Sequence, residues 1–136
     1  MELTVFDFPV IADERGALIA LEGNKGIPFE IKRVYYMYDL DTKLRRGYHA
    51  HKELKQILIP LKGSCKMLLD DGNHTEIVEL NTPSKGVLID KLIWHEMYDF
   101  SEDCVLMILA SNYYSEDDYL RNYEEFSEYI GSKIYV

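Results

Sequence analysis

Apolar residues along most of the chain fall in short runs rich in Val, Ile, Leu, Tyr and Phe, with turns of Gly, Pro, Asp and Asn between them. Runs of this length and composition, at short spacing, are typical of strands in an all-β domain. The Asp-Gly pair at Asp71-Gly72 is a strong hairpin signal between two such runs. The predicted strands are residues 4–10, 17–21, 31–40, 46–51, 56–61, 64–69, 75–80, 87–90, 93–98 and 104–110.

The C-terminal residues follow a different period. Apolar positions recur at helical spacing from Tyr119 to Ile130, and Ser115 with the acidic residues after it is typical of a helix N-cap and first turn. The pattern predicts one amphipathic helix over 115–130, packed on the outside of a sheet. Because the chain has no repeat and no linker, we expect a single domain over 1–136, a β-barrel or β-sandwich with one C-terminal helix.

Composition narrows the function classes. The chain has 136 residues, with 24 acidic and 15 basic side chains and a formal net charge of −9, which argues against nucleic acid as a partner. A few local arginines can still hold a diphosphate. No apolar run approaches the ~20 residues of a membrane span, and no signal peptide is evident. The two cysteines, Cys65 and Cys104, are expected to be buried reduced thiols in a cytoplasmic protein.

Two histidines are the sharpest local feature. His49 and His51 alternate on one predicted strand, so their side chains point to the same face and line one cavity if that face is the interior. His95 lies in a later apolar strand. Arg15 and Arg46 lie at a turn and a strand end near a plausible cavity mouth, where an arginine fork suits a diphosphate.

In the predicted strand over 31–40, either set of alternate side chains could point to the interior. If Arg33, Tyr35 and Met37 point inward, Arg33 can bind the diphosphate and the Tyr35 phenol can hydrogen-bond a sugar or relay a proton. The other parity places Tyr36 and Tyr38 inside instead. Tyrosine occurs on both faces, so periodicity does not decide between them.

The order of these parts resembles the cupin motifs. Gly47, the His49-x-His51 pair and Gly63 match the first motif, and the Pro-x-x-Gly turn before His95 resembles the second. The position of the metal-binding cupin glutamate is Gln56 here. A neutral amide is a poor ligand for a transition metal, so we expect no metal and no cofactor, although three histidines could still form a zinc-type site.

A more specific resemblance covers nearly the whole chain, from about Phe6 to Ile130. It is similar to the cupin-fold dTDP-4-keto-6-deoxyglucose 3,4-ketoisomerases, enzymes of deoxyaminosugar pathways. The strings that carry the likeness are residues 31–36, 46–52, 94–97, 109–114 and 118–123. The resemblance implies a metal-free cupin (jelly-roll) homodimer that binds a dTDP-sugar in each barrel, with the N-terminal strand exchanged between subunits.

The implied reaction moves a keto group from C4 to C3 of the hexose through an enediol. Histidine, with an ordinary pKa near 6.5, suits a group that takes and returns a proton at neutral pH. We therefore expect His49 as the main base and His51 as its partner, without excluding the opposite assignment. Arg15 and His95 resemble the residues of family members that form the 3-keto-6-deoxygalactose product, for a surface glycan.

Several alternatives stay open from sequence. The product could have the gluco configuration, and the protein could be a metal-dependent cupin or a sugar-binding cupin without enzyme activity. A 3,5-epimerase would act on the same substrate but usually needs a histidine paired with a carboxylate, for which the nearest residue in the sequence is Glu53.

Overall fold

The computed structural model describes residues 2–134 and the side chains of residues 2–131. Its elements are β1 Val5–Asp7, β2 Ile11–Asp13, β3 Gly16–Leu18, β4 Glu22–Gly23, β5 Gly26–Ile27, β6 Arg33–Met37, β7 Arg46–His51, β8 Gln56–Lys62, β9 Cys65–Asp70, β10 Thr75–Leu80, β11 Lys85–Ile89, β12 Trp94–Tyr98, β13 Val105–Ala110, a 3-10 turn Glu116–Asp118, β14 Tyr119–Leu120 and α1 Tyr123–Ile134.

Two antiparallel five-stranded sheets make the body of the molecule. The first has the order β1-β11-β8-β13-β6 and the second β10-β9-β12-β7-β14. The all-β class and the single C-terminal helix are as predicted. Among the described residues 2–134, no strand pairs with both sheets, so the hydrogen-bonded ladders form two separate sheets rather than one closed barrel.

The main core lies between the two sheets. It joins Leu58 and Ile108 of the first sheet with Met67 and Met97 of the second. Strand β8 is buried on both faces, since Leu58 faces this core while Ile57 and Ile59 pack outward against Phe8 and Phe29. Burial on both faces explains why the sequence of β8 reads as a continuous apolar run rather than as an alternation.

The C-terminal helix begins later than predicted. Tyr119 and Leu120 form β14, which pairs with β7, and α1 begins at Tyr123. The side chain of Asn122 accepts the backbone N–H of Glu124 at 2.8 Å, so Asn122 is the N-cap. Ser115 makes no side-chain cap hydrogen bond.

Helix α1 covers the outer face of the second sheet. Its Phe126 is fully buried with Ala50, Trp94 and Leu120. Among residues 2–134, no helix combines the length and the apolar character that crossing a lipid bilayer requires.

Candidate active site

A cavity of about 400 Å³ opens between the two sheets at the predicted histidines. Both sheets and the segment before α1 contribute to its wall. The lining residues are Arg33, Tyr35, Met37, Arg46, Gly47, His49, Gln56, Leu58, His95, Met97, Ile108, Tyr114, Tyr119 and Arg121.

Three histidines cluster on β7 and β12. The ring centroid of His49 lies 5.0 Å from that of His51 and 4.4 Å from that of His95. His49 and His51 therefore share a face, as the alternation predicted, and strand pairing sets His95 directly opposite His49.

Gly47 makes the approach of these two strands possible. Its φ is +98°, a region that favours glycine, and a Cβ at this position would lie 2.7 Å from the carbonyl oxygen of His95. The register between β7 and β12 shifts at this point, between His95 and Glu96. The glycine thus permits the irregularity that precedes His49.

Backbone carbonyls set the tautomers of two histidines. Nδ1 of His49 lies 3.0 Å from the Gly47 oxygen, and Nδ1 of His95 lies 3.2 Å from the Ile93 oxygen. A carbonyl oxygen only accepts, so each Nδ1 carries the proton and each Nε2 keeps a lone pair. Burial lowers the pKa of both imidazoles, so both are neutral at physiological pH.

His51 lies behind His49 rather than on the cavity wall. It is only 2% exposed, and neither ring nitrogen has a hydrogen-bond partner among the side chains of residues 2–131 or the backbone of 2–134. Its Nδ1 is 3.4 Å from Oδ2 of Asp118. Burial and the neighbouring His49 lower the pKa of His51 to about 3, so this imidazole is neutral as well.

The same three histidines are the candidate metal ligands. One nitrogen from each lies within 4.8 Å of the others, and neutral imidazoles are suitable ligands for a zinc-type ion. The fourth cupin position does not offer a carboxylate, because Gln56 occupies it and its side-chain nitrogen hydrogen-bonds the Tyr35 phenol. A metal-free site remains a prediction.

On β6, Arg33 and Tyr35 face the cavity, which is the first of the two orientations considered for this strand. Tyr36 and Tyr38 are on the opposite face, 65% and 62% exposed. The guanidinium carbon of Arg33 lies 4.8 Å from the Tyr35 ring centroid. Burial raises the pKa of Tyr35, an effect opposed by the charge of Arg33 and by the Gln56 hydrogen bond.

The predicted arginines separate into two places. Arg33 and Arg46 line the cavity, whereas Arg15 projects from the β2–β3 hairpin and lines a different, shallow surface depression. Arg15 is ion-paired with Asp13 at 2.5 Å, with its side chain 85% exposed. In the single chain, Arg15 is therefore outside the histidine cavity.

Sequence reasoning missed the aromatic and charged residues of one cavity wall, namely Tyr114, Tyr119 and Arg121. The guanidinium of Arg121 lies 4.1 Å from the Tyr119 ring centroid and donates two hydrogen bonds to Glu116, at 2.8 and 2.9 Å. The sequence pattern assigned Tyr119 to a helix, so its position in the cavity wall was not predicted. The signal that could have revealed it was Asn122, a favourable N-cap that is followed by acidic residues.

Comparison with known proteins gives a consistent result over nearly the full chain. Residues 1–131 match the family described as FdtA: WxcM-like, C-terminal. The TDP-4-oxo-6-deoxy-alpha-D-glucose-3,4-oxoisomerase of Aneurinibacillus thermoaerophilus is 52% identical over 130 residues, 96% of this chain and 94% of that protein.

Two crystal structures extend the comparison. A 3,4-ketoisomerase from Helicobacter canadensis is 46% identical, with a TM-score of 0.93 over 96% of this chain and 98% of that one. The sugar 3,4-ketoisomerase QdtA from Thermoanaerobacterium thermosaccharolyticum, in complex with TDP, is 47% identical, with a TM-score of 0.93 over 96% of both chains. The chain therefore belongs to the FdtA, WxcM-like C-terminal family and is an isomerase of the 3,4-ketoisomerase type.

Proposed function

We propose that this protein converts dTDP-4-keto-6-deoxyglucose to dTDP-3-keto-6-deoxygalactose, with His49 as the base. The observation that carries the proposal is the tautomer of His49, whose Nδ1–H is held by the Gly47 carbonyl so that Nε2 keeps its lone pair. The side chain lines a cavity large enough for a sugar. The relatives' names supply the substrate class, a TDP-linked keto sugar.

The chemistry matches neutral imidazoles beside a phenol. The C4 carbonyl acidifies the C3 proton, which Nε2 of His49 removes while the C4 oxygen takes a proton from the Tyr35 hydroxyl, forming the enediol. The imidazolium of His49 then delivers its proton to C4 while the C3 hydroxyl returns a proton to the Tyr35 phenolate, so the C3 ketone forms and both residues recover their starting protonation states. His51, close behind His49, is the partner that exchanges protons with it.

Cations in the cavity wall suit the diphosphate. Arg33 and Arg46 line the cavity, and Nε of Arg33 is buried without a hydrogen-bond partner in the part of the chain that the structure describes, which leaves it available to an anion. His95 is assigned to sugar binding because its Nε2 also keeps a lone pair beside His49. The planar fork of an arginine can contact two phosphate oxygens at once.

A role for Arg15 in binding calls for a second copy of the chain, because in the single chain it lies outside the histidine cavity. The hairpin that carries it exposes Ile11 by 70% and Leu18 by 57%, although β1 pairs with β11 of the same chain. We infer a homodimer in which the N-terminal segment is exchanged and the β2–β3 hairpin, placed differently from its position in the single chain, brings Arg15 to the partner's cavity. An Ile11→Asp, Leu18→Asp variant should sediment as a monomer and bind substrate more weakly. A wild-type monomer would contradict the dimer.

The same proposal covers compartment and pathway. The whole chain acts as one cupin domain in the cytoplasm, since both cysteines, Cys65 and Cys104, are buried and unpaired. The 3-keto product would be aminated at C3 for a surface glycan. The galacto configuration rests on Arg15 and His95, and the gluco product is the alternative.

The decisive experiment is proton NMR of dTDP-4-keto-6-deoxyglucose in deuterated water, with chelator-treated wild type and His49→Asn. We expect the wild type to remove the C3 proton of the substrate and place deuterium at C4 of a 3-keto product. The C4 configuration follows from the coupling between the C4 and C5 protons of the same product made in ordinary water. His49→Asn should retain dTDP binding and lose on the order of 10²- to 10⁴-fold in rate. Activity that chelation abolishes and zinc restores would favour the metal-dependent cupin instead, since three histidines are in place.

A further inference from the structure

Gln56 occupies the position at which cupins carry a metal-binding glutamate, and it makes a specific contact of its own. It is the first residue of β8, it is 1% exposed, and it lines the cavity. Its Nε2 lies 2.5 Å from the hydroxyl oxygen of Tyr35. The two residues are on different strands with β13 between them, so the sheet itself holds them together.

The direction of this hydrogen bond decides what the phenol can do. An amide nitrogen only donates, so the Tyr35 oxygen accepts from Gln56 and its own proton is not used in that contact. Arg33, over the face of the Tyr35 ring, is a cation and accepts no proton. The phenol proton is therefore left for a group in the cavity.

A glutamate at this position would have the opposite effect. A carboxylate only accepts, so it would take the Tyr35 proton into its own hydrogen bond and add a negative charge beside the phenol. The exchange of carboxylate for amide thus does more than remove a potential metal ligand.

We propose that Gln56 is a positioning residue that keeps Tyr35 a proton donor towards the C4 oxygen of the substrate. The inference rests on the proposed function, in which Tyr35 protonates that oxygen as His49 takes the C3 proton. Gln56 itself touches the phenol and not the reacting atoms.

The test is a double-mutant cycle, with chelator present throughout so that no variant acquires a metal. Gln56→Met keeps the side-chain length without the donor, and we expect kcat to fall on the order of 10-fold with KM nearly unchanged. Tyr35→Phe should lose more, and adding Gln56→Met to it should cost nothing further, because the amide acts only through the phenol. Gln56→Glu should be at least as slow as Gln56→Met.

A substrate-free measurement separates this inference from the proposed function. The ultraviolet titration of Tyr35, taken as the difference between each protein and its Tyr35→Phe version, should move to higher pH in Gln56→Met and Gln56→Glu. Here the loss of the donor, or the added carboxylate, raises the pKa of the phenol. Binding of dTDP reports that each variant is folded.

Several outcomes would overturn the inference while the wild type remains an active isomerase. These are a Gln56→Glu variant as fast as wild type, losses that add fully in the double variant, or a Tyr35 titration that does not move. A wild type that leaves the substrate untouched would instead refute the proposed function, and the titration would still report on the Gln56–Tyr35 bond. If Gln56→Met does not fold, Gln56→Glu carries the same test.

Discussion

At the scale of single residues, the site is built by backbone atoms acting on side chains. His49 and His95 each donate Nδ1–H to a carbonyl two residues earlier in the chain. The strand therefore selects the tautomer, and no separate carboxylate is needed to orient either ring. Burial adds the second condition, a neutral imidazole at physiological pH.

The pH dependence of turnover should report the buried base. A base must be neutral, and burial lowers the pKa of His49 below its ordinary value of 6.5. We expect the acidic limb of kcat/KM to have its midpoint below pH 6.5, measured across the neutral and mildly acidic range. His74→Ala, which removes an exposed turn histidine, should leave the profile unchanged. A midpoint above 6.5 would mean that the imidazolium is the stabilised form.

Gly47 should tolerate no side chain. Gly47→Ala puts a Cβ into the His95 carbonyl and strains a positive φ, so we expect a loss of about 2 kcal/mol in unfolding free energy together with slower turnover. Gly26→Ala is the matched control, since its φ of +83° is also strained but its Cβ meets nothing within 4 Å. Equal destabilisation of the two variants in urea unfolding would show that the His95 contact is unimportant.

At the scale of elements, the segment before α1 acts as a strap across β7. Residues 111–122, here called the strap, carry Tyr114, Tyr119 and Arg121 to the cavity. Asp118 fastens the strap, because its carboxylate accepts the backbone N–H of Glu53 at 2.9 Å and of Leu54 at 3.2 Å. One carboxylate thereby accepts hydrogen bonds from two backbone N–H groups of the turn after β7 and also lies beside His51.

Removing that carboxylate should loosen the turn and the cavity wall together. Asp118→Ala leaves two backbone donors without their acceptor, which costs about 1 to 3 kcal/mol of unfolding free energy. We expect a lower Tm and weaker substrate binding, the latter because Tyr119 and Arg121 lose their anchor. Asp117→Ala, the exposed neighbour, should change neither. A normal Tm in Asp118→Ala would mean that β14 pairing alone holds the strap.

At the scale of the whole molecule, three neutral histidines are buried or partly buried in the protein. Two of them, His51 and His95, are 2% exposed, and the pKa values of all three are lowered chiefly by burial. In the unfolded chain these imidazoles have the ordinary histidine pKa of about 6.5 and take up protons near that pH. In the folded chain their pKa values are lower, so they stay neutral there. Folding stability is therefore linked to pH through the site.

Stability should fall as the pH drops below 6.5. Below pH 6.5 the unfolded state holds more protons than the folded state. Each histidine therefore lowers the free energy of unfolding by up to about 1.4 kcal/mol for each pH unit of acidification. For His51 this effect extends down towards its folded pKa of about 3. Urea unfolding at about pH 7 and about pH 5 measures the difference. His95→Gln should show a shallower slope than wild type, and an equal slope would exclude His95 as a contributor.

Much of the site could be read from local pattern. The His-x-His alternation placed His49 and His51 on one face, and the Asp71-Gly72 signal found the β9–β10 hairpin. The face of β6 that points into the cavity could not be read, because tyrosines occupy both faces and only the hydrogen-bonded register with β13 selects one. The helix boundary was misread because tyrosine suits a strand as well as a helix.

The sequence by itself determined the all-β class, the family and the three histidines, because these depend on short-range period and on side-chain chemistry at fixed spacing. The tertiary structure decided that His49 lines the cavity while His51 stands behind it, that Gln56 meets Tyr35, and that Arg15 lies apart. Those relations join residues on separate strands, where register and sheet packing set distances that no local pattern encodes.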